Sequence, residues 1–324
     1  VIYDICSHGG RMFAGTNSHG VFQRPADSGR WTAVPDSALH YRGTVQKLAS
    51  HGGSLYASNW NNLLRSDDTG TTWQPIYPVI GADTASEVFR FTFFGDVLLL
   101  SDYTMGLLRL VDGSWETCGD SIGKPGQVVD IACFGENIVL VTRRDNIYHS
   151  TDTGDSWSAI RANLSPGGTV LGVEYANGAL YTSLICDGIY RTDLPGNDWV
   201  SCAADVPTVD DEPVFAAYGD TLLASTFEGL RLSPDQGETW RAVNDGFRGM
   251  NVSSVAARGD SLMVCSRVAG THVSYDGGSG WSQSRSAAAV NCEASTSYLL
   301  TMDTTLVLWE GNSYGANYCA HSND

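Results

Sequence analysis

Lysine is almost missing from this chain: Lys47 and Lys124 are its only two, and arginine supplies every other basic side chain. Charged residues make up 17% of the 324 residues, below the ~25% usual in soluble domains. Acidic residues outnumber basic ones, 36 to 19, for a formal net charge of -17. Such a surface repels a phosphate backbone and argues against nucleic acid as a partner. Mean hydropathy is -0.13, and no apolar run reaches the ~18 residues of a membrane span. No signal-peptide pattern is visible, the first strand-like stretch opening at Val1. The eight cysteines form no Cys-x-x-Cys, which removes a zinc knuckle and a thioredoxin-like motif. Neither a Gly-x-Ser-x-Gly elbow nor a Gly-rich phosphate loop occurs, and the seven histidines show no metal-ligand spacing. No metal and no cofactor is therefore expected.

Glycine and tryptophan are plentiful, 36 and nine residues. A turn-rich, aromatic-rich chain favours β structure over helix bundles. Seven of the tryptophans fall at Trp31, Trp73, Trp115, Trp157, Trp199, Trp240 and Trp281, spaced by 42, 42, 42, 42, 41 and 41 residues. Each ends a variant of one phrase, clearest in Ser66-Asp67-Asp68-Thr69-Gly70-Thr71-Thr72-Trp73. Further good copies run from Ser150 through Asp152 and Gly154 to Trp157, from Ser233 through Asp235 and Gly237 to Trp240, and from Ser274 through Asp276 and Gly278 to Trp281.

The phrase reads as a hairpin turn. Its Asp can accept bonds from backbone N–H groups, its Gly takes a positive φ, and its Trp starts a strand with a large face to bury. Three strand-like pieces precede each turn. In the second repeat they are Val45–Ala49, Ser54–Ser58 and Asn62–Ser66, followed by Trp73–Ile76. Four strands at this period make a propeller blade. The last unit, Ala287–Asp324, reads as Val290–Ala294, Tyr298–Met302 and Thr305–Trp309 with the Trp phrase lost. The expected fold is therefore all-β, a single β-propeller over 1–324 of eight four-stranded antiparallel blades, with seven as the alternative. The repeats are bounded at about 1–42, 43–85, 86–125, 126–168, 169–212, 213–250, 251–286 and 287–324.

The phrase resembles the Asp-box (BNR) repeat of sialidase-like β-propellers. The resemblance implies the fold and leaves the activity open, because sialidases, other glycosidases, lectin-like proteins, sorting receptors and photosystem assembly factors share the turn. Sialidases also carry an Arg-Ile-Pro motif and three arginines that clamp a carboxylate. No Arg-Ile-Pro occurs here, so this is not a typical sialidase.

In each blade the Asp-box turn and the turn after the first strand share one end. The loop between the second and third strands lies at the other. Asp68, Asp152, Asp235 and Asp276 are therefore read as structural, with Gly70, Gly154, Gly237, Gly278 and their tryptophans. The second-to-third loops change at every blade, as binding loops on a repeated scaffold do. They offer His19, Asn59, Trp60, Tyr103, Arg143, Arg144, Phe227 and Arg267 for a ligand, with Trp60 suited to stacking on a sugar ring. Asp102, Asp187, Glu228 and Asp303 are the carboxylates available for a glycosidase pair. Cys6, Cys292 and Cys319 sit where a disulfide between two of them would staple the ring, as an exported protein allows. The expected role is that of a secreted or periplasmic binding or scaffold module for a glycan or protein partner. The alternatives are a glycoside hydrolase or polysaccharide lyase with its site at the channel mouth, and a structural subunit of an extracellular assembly. Whether the protein is an enzyme stays open, with the balance against it.

Overall fold

The structure, a computed structural model, describes residues 2–26, 30–35, 39, 44–59, 62–77, 88–102, 105–118, 122, 128–142, 146–161, 163–164, 168–184, 187–194, 198–202, 215–226, 229–247, 252–258, 260–266, 270–283, 297–302, 305–311 and 317–323. They hold 31 strands and no α-helix. Seven sheets are four-stranded antiparallel meanders in chain order, the blades of a propeller fold. The second blade runs Lys47–His51, Ser54–Asn59, Asn62–Ser66 and Gln74–Tyr77. The expected strands lie within two residues of these bounds.

The expectation of eight four-stranded blades is overturned. Among the described residues the fold has seven, the count held as the alternative, and the last unit forms a sheet of three strands, Ser297–Met302, Thr305–Gly311 and Asn317–Asn323. Val290–Ala294, expected as its first strand, lies outside the described residues.

The chain divides into two compact units, Val1–Arg144 with Tyr148–Ala159 and Asp145–Ile147 with Ile160–Asp324. Inside each, the core lies between successive sheets. In the first unit Phe13 and Val21 pack with Leu48, Leu55, Leu64 and Trp73 of the next blade. In the second, Leu223 and Leu230 pack with Val255, Leu262 and Trp281 of the blade that follows. A central strand is thus covered on both faces. All six residues of Ser54–Asn59 are buried, with Leu55 and Ala57 in one cluster and Tyr56 in the other. Such strands read as unbroken apolar and small runs rather than alternating ones.

The first turns follow from their glycines. Gly9-Gly10 and Gly52-Gly53 hold φ of 55° and 71°, and of 56° and 81°; Asn177-Gly178 does the same at 46° and 85°. Two consecutive positive φ values make the tight hairpin turn whose twist matches that of the strands it joins. The fourth strands are short and exposed, two residues each at Thr32–Ala33, Ser158–Ala159, Val200–Ser201, Arg241–Ala242 and Ser282–Gln283. Short outer strands limit edge-to-edge pairing with other chains.

Candidate functional site

The two ends of a blade use their polar residues differently. At the turn end the repeated phrase forms one closed hydrogen-bond pattern. The Ser hydroxyl donates to the Asp Oδ1 at 2.8 Å in Ser66–Asp68, Ser150–Asp152 and Ser233–Asp235, and at 2.7 Å in Ser274–Asp276. The same hydroxyl accepts the N–H of Gly70, Gly154, Gly237 or Gly278 at 2.7–2.9 Å. Oδ1 also takes the N–H four residues on, from Thr72, Ser156, Thr239 or Gly280. In three copies a hydroxyl of Thr72, Ser156 or Thr239 closes on Oδ2. In these three copies both Asp oxygens are thereby turned inward on their own loop, and in the fourth Oδ1 is.

This pattern stabilises the ionised carboxylate. Bonds from the Thr72 N–H and hydroxyl hold Asp68 down at about 2. Bonds from the Ser156 hydroxyl and N–H hold Asp152 at about 2 as well. Asp235 and Asp276 are lowered by the same kinds of bond, led by Thr239 and Ser274. With folded values below the ordinary carboxylate value of 3.8, the contribution is present above pH ~4 and lost as pH falls through ~2. Thermal melts taken from pH 5 down to pH 2 are expected to fall in that window. Asp152→Asn is expected to flatten the fall, and an unchanged profile in that variant would refute the assignment.

Five of the register tryptophans reach back to the preceding blade. The indole N–H of Trp115 donates to the Ile76 carbonyl at 2.8 Å, and those of Trp157, Trp240 and Trp281 to Cys118, Cys202 and Val243 at 2.6 Å. Trp199 makes the same bond to Ile160. The glycines are packed just as closely: a Cβ on Gly70 would stand 2.5 Å from Phe13, and one on Gly237 2.7 Å from the Cβ of Cys202. Two arginines add a grip on the next turn, Arg109 on the Thr153 carbonyl and Arg241 on the Gly277 carbonyl. Arg109 also meets Asp155 at 2.6 Å. The turn end is an inter-blade joint.

The other end carries the candidate loops. Asn59 is fully buried, and its Oδ1 accepts the Asn62 N–H at 2.8 Å. Asp102 is 1% exposed, accepting the Met105 N–H at 2.7 Å and the Tyr77 hydroxyl at 3.2 Å. Asp187 accepts the Tyr190 hydroxyl at 2.9 Å, which with burial pushes Tyr190 up to about 12. Thr16 and Thr226 close their loops on the Gly20 and Gly229 carbonyls. Asn59 and Asp102, like these threonines, end the second strand and fasten the loop to the blade. His19 is exposed, with its ring Nδ1 3.1 Å from the Asn17 carbonyl oxygen. Trp60, Tyr103, Arg143, Arg144, Phe227, Glu228, Arg267 and Asp303 lie outside the described residues.

Cys6 is a free thiol packed against the core between the first two blades. Burial pushes its pKa up, and the Asp4 charge adds to that. The other two cysteines of the expected staple, Cys292 and the side chain of Cys319, lie outside the described residues. Cys118, Cys133 and Cys202 are free as well. Among the described residues no group of three or more His, Cys, Asp or Glu could hold a metal ion. No helix among them is long and apolar enough to cross a membrane.

One row of side chains was not singled out from the sequence. In the first strands Asp4 pairs with Gly15, Lys47 with Ser58, Arg90 with Ser101 and Asp130 with Val141. These are equivalent register positions near the candidate loops, and all four carry charge. Their signal in the sequence is a fixed offset: each stands five residues before the first turn glycine, Gly9, Gly52, Gly95 or Gly135. The Asp4 carboxylate takes the N–H of Ile5 at 3.0 Å and of Leu48 at 2.8 Å, with the Lys47 ammonium at 3.3 Å.

No known family profile matches the chain, and no curated protein matches it. Among solved structures it is similar to YCF48 bound to a D1 peptide, with a TM-score of 0.61 and 17% identity over 84% of this chain and 90% of that one. It is similar to BamB from Moraxella catarrhalis, with a TM-score of 0.59 and 12% identity over 98% and 92%. A GH74 xyloglucanase from Xanthomonas campestris gives a TM-score of 0.59 and 16% identity over 96% of this chain and 58% of that one. At such identities the likeness is one of fold, and the fold is a β-propeller.

Proposed function

We propose that this protein is an exported Asp-box propeller that acts as a binding or scaffold module, taking a polypeptide or glycan partner at the second-to-third-loop end. The observation that carries this reading is the contrast between the two ends. The turn end spends its Ser, Asp, Gly and Trp residues on joints repeated blade after blade. The sequence of the loop end changes from blade to blade. The acidic composition, net charge -17, suits an exported and soluble surface. The YCF48 structure, which holds a peptide, supports a propeller of this kind taking a polypeptide. Against a glycosidase stands the use of Asp102 and Asp187 as acceptors within their own loops, since a catalytic pair must face substrate and solvent water.

The test compares Trp60→Ala and Arg143→Ala with Asp152→Ala on peptide and glycan arrays, alongside thermal melts. The loop variants are expected to lose binding with an unchanged melting temperature. Asp152→Ala is expected to melt early and to bind normally while folded. Loop variants that bind as the wild type does would place the partner elsewhere.

A further inference from the structure

We infer that the loop end holds a carboxylate-binding site at the second and third blades, built from Arg90, Lys47 and the Phe91 N–H, and that its ligand is an acidic polypeptide. The inference rests on the reading that this end takes the partner, and it names the chemistry.

The argument is one of register. Between the first and second blades the protein binds a carboxylate of its own. Asp4 Oδ2 meets the Leu48 N–H, which points away from its sheet, and the Lys47 ammonium. The elements of that site are a carboxylate on one first strand, and a cation followed by an outward N–H on the next. At the next step the second and third elements recur. Arg90 stands in the row of Lys47, and Phe91, paired with Leu100, stands where Leu48, paired with Ala57, stands one blade earlier. The first element does not recur, because the second blade has Lys47 where the first has Asp4. A guanidinium and a strand N–H are thus set for an acid, and the residue opposite is a second cation.

The surroundings agree. Arg90 is exposed, and no described carboxylate pairs with it. The Lys47 side chain is 39% exposed and meets one Asp4 oxygen, which leaves ammonium protons for another acceptor. In a chain of net charge -17, cations at equivalent positions of two successive first strands form a local exception, flanked in the same row by Asp4 on one side and Asp130 on the other. Guanidinium binds carboxylate through two parallel N–H donors. A first strand is also a sheet edge, and a peptide main chain can pair with its outward N–H and C=O groups. That favours a polypeptide acid over an acidic sugar.

The experiment is fluorescence anisotropy with labelled hexaglutamate at about 0.15 M salt, where the Debye length is ~8 Å and the repulsion of the remote acids is screened. Binding is expected for the full chain. Arg90→Gln is expected to weaken it about 10–100-fold, as for loss of a charge-assisted bond. Arg90→Lys should recover part of the loss, and Lys47→Gln should give a smaller one. The exposed Arg65→Gln, at the turn end, should change nothing. Hexaglutamine should not bind, and a C-terminally amidated hexaglutamate separates side-chain from terminal recognition. Equal binding by Arg90→Gln, binding of hexaglutamine, absence of any peptide binding, or binding of oligogalacturonate alone would each overturn the site. If Trp60→Ala keeps peptide binding while Arg90→Gln loses it, the site stands and the loop reading falls. If a glycan is bound through Trp60 and no peptide is bound, the reverse holds.

Discussion

Trp281→Ala is expected to destabilise the fold by ~3–5 kcal/mol, the range for truncating a buried tryptophan. Trp281 is 7% exposed within the core between the last two four-stranded blades. Its ring lies 6.0 Å from that of Phe247, and its indole N–H donates to Val243 at 2.6 Å. Alanine removes the packing and leaves the Val243 carbonyl without that donor. Trp157 makes the same inter-blade bond but is only half-buried, so its truncation should fall at the lower end of that range. Chemical denaturation of both variants checks the values and their order. A cost below ~1 kcal/mol for Trp281, the level of a surface substitution, would refute its place in the joint.

Gly237→Ala is expected to cost ~2–5 kcal/mol, combining backbone strain with overpacking. Gly237 holds φ at 92°, and an added Cβ would stand 2.7 Å from the Cβ and 2.9 Å from the Sγ of Cys202. Gly53→Ala separates the two causes. Its φ is 81° and nothing lies within 4 Å of an added Cβ, so strain alone acts, at ~1–2 kcal/mol. Equal losses in the two variants would show that contact with Cys202 contributes nothing. Relief of Gly237→Ala by Cys202→Ala would show the contact directly.

These two residues mark how far the sequence could be read. The period reports the blades because five of its tryptophans, Trp115 to Trp281, are bound to the blade before them, and a joint repeated in space repeats in sequence. The last unit is the hardest to count, because Ala287–Asp324 keeps strand-like runs without a register tryptophan to mark its place in the repeat. Asn59 and Asp102 looked like ligand groups because a polar residue in a variable loop and a polar residue closing that loop have the same letters. Only the Asn62 and Met105 N–H bonds tell them apart. Arg90 was legible only through its offset from Gly95, which becomes visible once the register of the first strand is known.

The indole bonds between blades run one way, from a later blade to an earlier one, in Trp115 to Ile76, Trp157 to Cys118, Trp199 to Ile160, Trp240 to Cys202 and Trp281 to Val243. An acceptor therefore leaves the ribosome about 39 residues before its donor. Each newly emerging, more C-terminal segment finds its docking carbonyl already made, so assembly can be vectorial and keep pace with synthesis at ~5–20 residues per second. A circular permutant opened inside a blade would invert that order for one joint. It should reach the same folded state, and reach it later.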